Sequence, residues 1–425
     1  MAVSDPGRDY RGGFIGIVHR VAAGATRLIF EQMLFSEQIS IRCEALRNYP
    51  QAFTHLSPIS AAVNLDRALS GVAWRQVLLR ARPIANRSQV NNLPYIGDMV
   101  AIIGGGIIGL SIAWRLAQRG VAVHVIDHGR RGGEASPAGA GMLAPGGEFA
   151  GRSVWTALGI ESLQLYPSYV EELSGESGCP IDFRICGGLE LAFNAADWTA
   201  LRQRARSQEA NGISSSETAD GIFYPNDGYV DSRHVLAALR SACARRDVRI
   251  EEGRTIRDMN ADDFDAVVIA AGSWSGELEI RSGNARLDLP KTIPVKGHLL
   301  GYDMPPGSLP QIRRHGHSYL LQRANGFTIA GSNEERAGFD TTIDQAMCLD
   351  IQKRVAQLWP ALAQQSPSER WIGFRPATED MLPKIGRFED TNVWLAYGHY
   401  RNGILLAPVT AQRITQGLSA SWGTD

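Results

Sequence analysis

The chain has 425 residues, which is enough for two or three domains with substantial hydrophobic cores. Its 43 basic and 44 acidic residues nearly cancel, so nothing indicates binding to nucleic acid or to an anionic membrane surface. Five cysteines without C-x-x-C spacing favour a reducing cytoplasm over a disulfide framework, and no apolar run reaches the length of a membrane span. We therefore expect a cytoplasmic protein that makes no contact with a membrane.

The first 98 residues show no settled apolar period, and they contain eleven arginines but no lysine. Met99 stands directly before the first well-defined strand. We therefore interpret residues 1–98 as an N-terminal extension that the functional core does not need, upstream of a chain that could begin at Met99. A small accessory domain and an organelle-targeting leader stay as alternatives, because Arg-rich and Lys-free composition is common in such leaders.

The stretch Val100–Asp127 predicts a strand, a glycine turn, a helix and a second strand. Within it, Gly104, Gly106 and Gly109 form G-x-G-x-x-G: the first permits a tight turn, the second admits a pyrophosphate, and the third lets helix pack on strand. The helix N-terminus offers N–H groups and a positive dipole end to that pyrophosphate. Asp127 ends the second strand, where a carboxylate can accept both hydroxyls of an adenosine ribose. This stretch predicts a dinucleotide site.

Two features favour FAD over NAD as the dinucleotide. The small-residue run Gly132–Pro145 follows where a nicotinamide enzyme would continue with regular βαβ units, and its backbone could lie against a large planar ligand. A second glycine loop, Gly398–Gly403, opens a helix whose positive end could face the flavin pyrimidine edge. Pro408 costs this helix little if it lies in the first turn.

The remaining segments predict further strands. The apolar segment Phe264–Gly272 is interpreted as the return of the chain to the nucleotide-binding sheet. His317–Ser332 predicts a β-hairpin in which Asn325 and Gly326 supply the positive φ angles of a primed turn. The fold class is thus α/β, with a Rossmann-type FAD-binding domain interrupted by a sheet-rich (α+β) substrate-binding domain. The FAD-binding domain would comprise residues 99–150, 220–275 and 371–420, and the substrate-binding domain residues 151–219 and 276–370.

Two arginines are candidates for binding a substrate carboxylate. The proline after Arg375 favours an extended conformation, from which a planar guanidinium can grip a carboxylate at two points. Arg401 lies between apolar and glycine neighbours at a helix start. For each arginine, the alternative interpretation is an ordinary surface ion pair.

Period-two alternation places His315, His317 and Tyr319 on one face of the predicted hairpin strand. The Tyr319 hydroxyl could donate to a substrate carboxylate, whereas His317 could equally be structural. No third ligand accompanies the two histidines, so no metal is expected. Glu334 could rim the pocket or be a solvated loop acid.

Several segments resemble those of the bacterial glycine oxidases, in the D-amino acid oxidase and sarcosine oxidase group. The similar segments are IIGGGIIGLSIAWRLAQRG, AGAGMLAP, VVIAAGSWS, PVKG, GFRPATEDMLPKIG and, most specifically, GHYRNGILLAPVT, and the resemblance covers Met99–Gly417. It implies FAD-dependent oxidation of glycine, or of sarcosine or small D-amino acids, by O2 to an imine, then glyoxylate, ammonia and H2O2. In this family the imine serves thiazole formation in thiamine biosynthesis.

The resemblance also implies particular site residues. Substrate would meet Arg375, Arg401, Tyr319 and His317, and FAD would be held without a covalent link, since no cysteine lies near Arg375. The implied FAD contacts are Gly104, Gly106, Ile107, Ile108, Gly109, Asp127, His128, Ala135, Ser136, Ala140, Gly141, Met142, Ile256, His399, Tyr400, Arg401, Asn402, Gly403, Ile404 and Leu405. Asp127 stands where the family more often has Glu, and residues 1–98 have no counterpart.

Two other functions stay open at this point. A D-amino acid dehydrogenase of the same fold would pass electrons to a quinone and would not make H2O2. A flavin-binding protein without catalysis would show no turnover at all. The expected partners are a small amino-acid substrate and O2, not nucleic acid, and a homo-oligomer is compatible with the sequence.

Overall fold

The computed structural model describes residues 99–130, 132–149 and 153–423, and the interpretations of residues 1–98 lie outside these ranges. The described residues form eight α-helices and twenty strands, with short 3₁₀ turns between some of them. In chain order the helices are α1 (Ile107–Gln118), α2 (Ala135–Ala138), α3 (Pro145–Glu148), α4 (Val154–Ser177), α5 (Ala195–Glu209), α6 (Ser232–Arg245), α7 (Gln345–Leu358) and α8 (Ala407–Trp422).

The strands belong to four sheets. In chain order they are β1 (Met99–Ile103), β2 (Ala122–Asp127), β3 (Met142–Leu143), β4 (Phe183–Ile185), β5 (Gly188–Leu191), β6 (Ser216–Glu217), β7 (Gly221–Tyr224), β8 (Gly228–Val230), β9 (Arg249–Glu252), β10 (Asp258–Asn260), β11 (Ala266–Ile269), β12 (Glu279–Ser282), β13 (Ala285–Arg286), β14 (Thr292–Asp303), β15 (Ile312–His315), β16 (Ser318–Gln322), β17 (Phe327–Gly331), β18 (Glu369–Thr378), β19 (Lys384–Arg387) and β20 (Val393–Tyr397).

A six-stranded sheet in the order β19–β20–β11–β1–β2–β9 carries the dinucleotide motif. All neighbours are parallel except β19, which is antiparallel to β20. Both faces of β1 are buried, as expected for a parallel strand covered on two sides. Val100 and Ile102 pack with α1, α4, α6 and α8, whereas Ala101 and Ile103 pack with residues of the small sheet β10–β12–β13. The predicted return strand is β11, which pairs with β1.

An eight-stranded sheet in the order β18–β14–β17–β16–β15–β5–β7–β6 forms the second large layer. Side chains alternate across it: Leu320 of β16 packs with Ile351 and Val355 of α7. Tyr319 and Leu321 pack on the opposite face, together with Ala140. The sheet is thus covered by a helix on one side and faces the glycine-rich segment after β2 on the other.

The sheets do not follow the predicted domain division everywhere. β18 and β7, which the division assigns to the FAD-binding segments, pair within the eight-stranded sheet. Helix α4, assigned to the substrate-binding segments, packs on α6 and α8 beside the six-stranded sheet. These differences arise because isolated strands and helices give no local signal of the sheet they join.

Two details of the predicted hairpin are wrong. Only Gly326 has a positive φ, of +94°, and Arg323 pairs with Phe327, so the connection is a three-residue loop instead of a two-residue primed turn. His315 and His317 do not share a strand, because the chain reverses at Gly316 and His317 between β15 and β16. The alternation that placed both histidines beside Tyr319 therefore ends at that turn.

None of the helices in the described ranges is long and apolar enough to cross a bilayer.

Candidate active site

A cavity of about 1500 Å³ opens at the carboxyl ends of β1, β2, β11 and β20. Ligands of open parallel sheets bind at this edge. The cavity runs from the segment around Ile256 past the glycine motif to Arg375 and Arg401. It therefore joins the predicted nucleotide site to the predicted substrate residues.

The three motif glycines are needed at their positions for different structural reasons. A Cβ on Gly104, whose φ is +112°, would lie 2.4 Å from the carbonyl oxygen of Ala270, and a Cβ on Gly109 would lie 1.9 Å from that of Gly104. Both glycines therefore allow the backbone of the turn to pack closely against neighbouring backbone. A Cβ on Gly106 would meet only Ser136 Oγ, at 3.1 Å, so the space in front of Gly106 is open to a ligand. That space is compatible with the role predicted for the second glycine.

Two polar side chains fix the backbone around this turn. The carboxylate of Asp127 accepts hydrogen bonds from the N–H groups of Gly105 at 2.6 Å and Gly129 at 2.7 Å, which holds it at the cavity wall. Ser136 Oγ accepts from the N–H of Ile107 at 3.0 Å, the first residue of α1. The segment that contains Ser136 is thereby tied to the helix N-terminus.

Arg375 projects from β18 opposite Val295 of β14 and is half-buried. Its Nη2 donates to Ser332 Oγ at 2.5 Å and its Nη1 to the carbonyl oxygen of Asn333 at 3.1 Å. Within the described ranges, no carboxylate oxygen lies within 4.0 Å of its guanidinium. Arg375 is thus a positive charge at the cavity wall that lacks an anionic partner.

Arg401 differs from Arg375 because two carboxylates flank it. Its Nε lies 3.3 Å from Glu148 Oε2 and its Nη1 lies 3.4 Å from Glu334 Oε1. Burial alone would lower the pKa of Arg401, but the two carboxylates outweigh this and raise it. The structure therefore brings both predicted arginines to one cavity, yet only Arg375 has a charge left for a substrate carboxylate.

Tyr319 lines the cavity and lies over Gly331, its cross-strand partner in β17. Burial raises its pKa, so the hydroxyl is protonated at neutral pH and can donate a hydrogen bond. His317, in contrast, is exposed in the turn before β16 and does not line the cavity. The structure therefore places Tyr319 at the cavity wall and His317 outside it.

The loop between β20 and α8 closes the cavity. The N–H of Tyr400, whose φ is +49°, donates to the carbonyl oxygen of Pro376 at 2.9 Å and so joins the loop to β18. His399 is buried with Nε2 3.0 Å from Thr410 Oγ1, and desolvation lowers its pKa to about 3. Pro408 lies in the first turn of α8, as the sequence predicts. His399 is therefore an uncharged structural contact between loop and helix.

Most of the predicted FAD contacts line the cavity, including Ile256. Two do not: Gly109 packs against Gly104, and Leu405 is buried with its carbonyl accepting from Ser162 Oγ at 2.6 Å. Lining residues that sequence reasoning missed include Glu148, Gly297, Ser332 and Trp274. Gly297 and Trp274 had a visible signal, because they belong to the PVKG and VVIAAGSWS segments.

The residues present fit a flavin dinucleotide. The open space in front of Gly106 suits a pyrophosphate, and the fixed Asp127 carboxylate suits a ribose. The cavity is long enough for a large ring beyond them. Fold and site together define a dinucleotide-binding oxidoreductase with a cationic group for the second reactant.

Comparison with known proteins identifies the family. Residues 99–416 match the DAO family, described as FAD dependent oxidoreductase, and the chain belongs to it. The predicted resemblance, the α/β fold class and FAD as the cofactor are confirmed.

Similar proteins include the glycine oxidase of Geobacillus kaustophilus, which is 31% identical over 343 residues covering 73% of this chain and 90% of that protein. The bifunctional protein ThiO/ThiG of Synechocystis is 34% identical, and the match covers 74% of this chain but only 51% of that longer protein. The crystal structure of glycine oxidase from Geobacillus kaustophilus superposes with a TM-score of 0.70 at 28% identity, covering 76% of this chain and 95% of that one.

Proposed function

We propose that this FAD-dependent oxidoreductase oxidises glycine, with sarcosine and small D-amino acids as further substrates, and returns the electrons to O2. The observation that carries the proposal is the guanidinium of Arg375, which has no carboxylate partner among the described residues and lies in the cavity that also contains the dinucleotide motif. Relatives that cover most of this chain are named glycine oxidase, which supports the same substrate class. The products would be an imine, then glyoxylate and ammonia, together with H2O2.

In this proposal the chain's own residues position the substrate. Arg375 grips the carboxylate at two points and Tyr319 donates a further hydrogen bond, so the amino acid can bind in few orientations. FAD, when bound, supplies the acceptor for a hydride from the substrate Cα. The amine is neutral when it reacts, and no dedicated base is required. Glu148 and Glu334 are both paired with Arg401, which agrees with a site that works through orientation and charge.

We extend the proposal to the context of the reaction. The relative named ThiO/ThiG joins a segment similar to this chain to a second part, which supports a role of the imine in thiazole formation for thiamine. Non-covalent FAD and a cytoplasmic location belong to the same proposal, as does the division into FAD-binding and substrate-binding domains apart from β7, β18 and α4. Acid precipitation tests the first of these, since a covalent flavin would stay with the precipitated protein.

The test is a two-step reaction of the purified holoenzyme. Glycine added without oxygen should bleach the flavin absorbance, and admitted O2 should restore it with one H2O2 per turnover. Bleaching that only a quinone reverses would instead support the D-amino acid dehydrogenase. No bleaching with glycine, sarcosine or D-alanine would contradict the proposal and support a flavin-binding protein without amine oxidation.

A further inference from the structure

The segment Ser332–Glu334 connects the two arginines of the site. Ser332 Oγ and the Asn333 carbonyl oxygen accept the two hydrogen bonds of Arg375, and the next residue, Glu334, pairs with Arg401. Glu334 therefore lies one residue beyond the contacts that orient the carboxylate grip. Its side chain is 34% exposed and does not itself line the cavity, but it contacts Arg401, which does.

The charges in this part of the cavity do not cancel once substrate is bound. A substrate carboxylate would neutralise Arg375, which leaves Arg401 with both Glu148 and Glu334, a group with a net charge of −1. Glu148 is only 11% exposed, so water screens its charge weakly. Burial opposes ionisation of Glu334, but Tyr400 and Arg401 outweigh it and hold its pKa below the usual range. The Glu334 carboxylate is thus ionised at neutral pH.

We propose that the group formed by Glu148, Arg401 and Glu334 is a charge filter for the substrate side chain, with Glu334 as the residue that sets its selectivity. It disfavours amino acids that carry a second carboxylate and accepts those whose side chain is absent, neutral or cationic. The repulsion acts on the wrong substrate and adds no contact to the right one, which is a common route to specificity. The proposal rests on the substrate class proposed above.

Two ligands of the same size and different charge separate the effect of charge from that of size. Malonamate has an amide where malonate has its second carboxylate. The dissociation constant of each is obtained from the change in flavin absorbance during titration of the holoenzyme at pH 8. We expect malonate to bind wild type more weakly than malonamate by a factor on the order of ten, as expected for a partly screened charge pair. Glu334→Gln should reduce that ratio by a factor of about three to ten.

Two variants serve as controls. Glu334→Asp keeps the negative charge on a shorter side chain, so the ratio of the malonate and malonamate dissociation constants should stay close to the wild-type value. Glu379→Gln removes a charge from an exposed residue that neither lines the cavity nor pairs with Arg401, so it should leave the ratio at the wild-type value. Equal binding of malonate and malonamate to wild type, or an unchanged ratio in Glu334→Gln, would overturn the proposal.

Turnover gives a second readout. The ratio of kcat/KM for D-asparagine over D-aspartate should fall in Glu334→Gln, and the change should appear in KM more than in kcat, because the filter acts on binding. The binding titration needs no turnover. If glycine is not a substrate but Glu334→Gln still changes the ratio of the malonate and malonamate dissociation constants, the charge filter stands and the proposed function is wrong. If glycine is a substrate and that ratio does not change, only the charge filter is wrong.

Discussion

The guanidinium of Arg375 lies directly against the Cα of Gly297. A Cβ built on Gly297 would come within 2.4 Å of Arg375 Nη2 and 2.5 Å of Nη1. Gly297 thus leaves the space that the Arg375 side chain of the neighbouring strand occupies. Both residues line the cavity.

Gly297→Ala should therefore displace Arg375 and impair glycine oxidation while FAD stays bound. We expect KM for glycine to rise by at least tenfold with little change in the flavin spectrum, since the added methyl group meets the guanidinium and not the nucleotide motif. Steady-state kinetics and flavin absorbance measure the two effects. Gly175→Ala in α4 is the matched control, because a Cβ there meets nothing within 4 Å. Equal KM values for both variants would rule out this relationship.

Gly106→Val should give a folded protein that does not retain FAD. Its side chain would enter the space in front of the motif, where Ser136 Oγ is the one atom of the described residues near the Cβ. Circular dichroism should match wild type while the purified protein is colourless. Gly109→Val is the contrasting variant, because its Cβ would collide with the Gly104 carbonyl and reduce folding itself. A yellow Gly106→Val protein would contradict the assignment of the pyrophosphate to this position.

His399 should make stability depend on pH in the acid range. Its pKa is about 3 in the folded protein, against 6.5 for an ordinary histidine, because it is desolvated. The unfolded chain therefore binds the extra proton between these values, so the stabilisation is complete above pH 6.5 and is lost as the pH falls towards 3. Urea unfolding measures the free energy of unfolding at each pH. Between pH 7 and 5 this free energy should fall less steeply in His399→Asn than in wild type, by up to about 1.4 kcal/mol per pH unit.

The control for that measurement is Thr199→Ala, at an exposed residue of α5 that does not titrate. It should keep the wild-type slope. A His399→Asn slope equal to that of wild type would mean that the buried imidazole does not contribute to acid unfolding.

A chain that starts at Met99 should fold and bind FAD. The described residues, which begin at Met99, suffice to form the six-stranded sheet and the cavity wall described above. Expression of both lengths in parallel, with flavin content and activity per mole, measures this. Insoluble or flavin-free truncated protein beside soluble full-length protein would show that residues 1–98 belong to the functional fold.

The parts of the fold that were predictable from sequence are those encoded within short segments. Gly104, Gly106 and Asp127 lie within one βαβ unit, so their spacing alone indicates the dinucleotide site. The charge group could not be found in this way, because Glu148 and Arg401 are 253 residues apart and meet only through the packing of α3 against the final loop. His317 was misplaced for a related reason, since a two-residue reversal interrupts the alternation on which the prediction depended.

The central claim is that Arg375 grips the carboxylate of a small amino acid, and Arg375→Lys tests it most directly. Lysine keeps the charge but loses the planar two-point contact. We expect a loss of about 2–5 kcal/mol in transition-state binding, a factor of about thirty to several thousand in kcat/KM for glycine, with an unchanged flavin spectrum. Glycine turnover within twofold of wild type would contradict the claim and would require the carboxylate to be bound elsewhere.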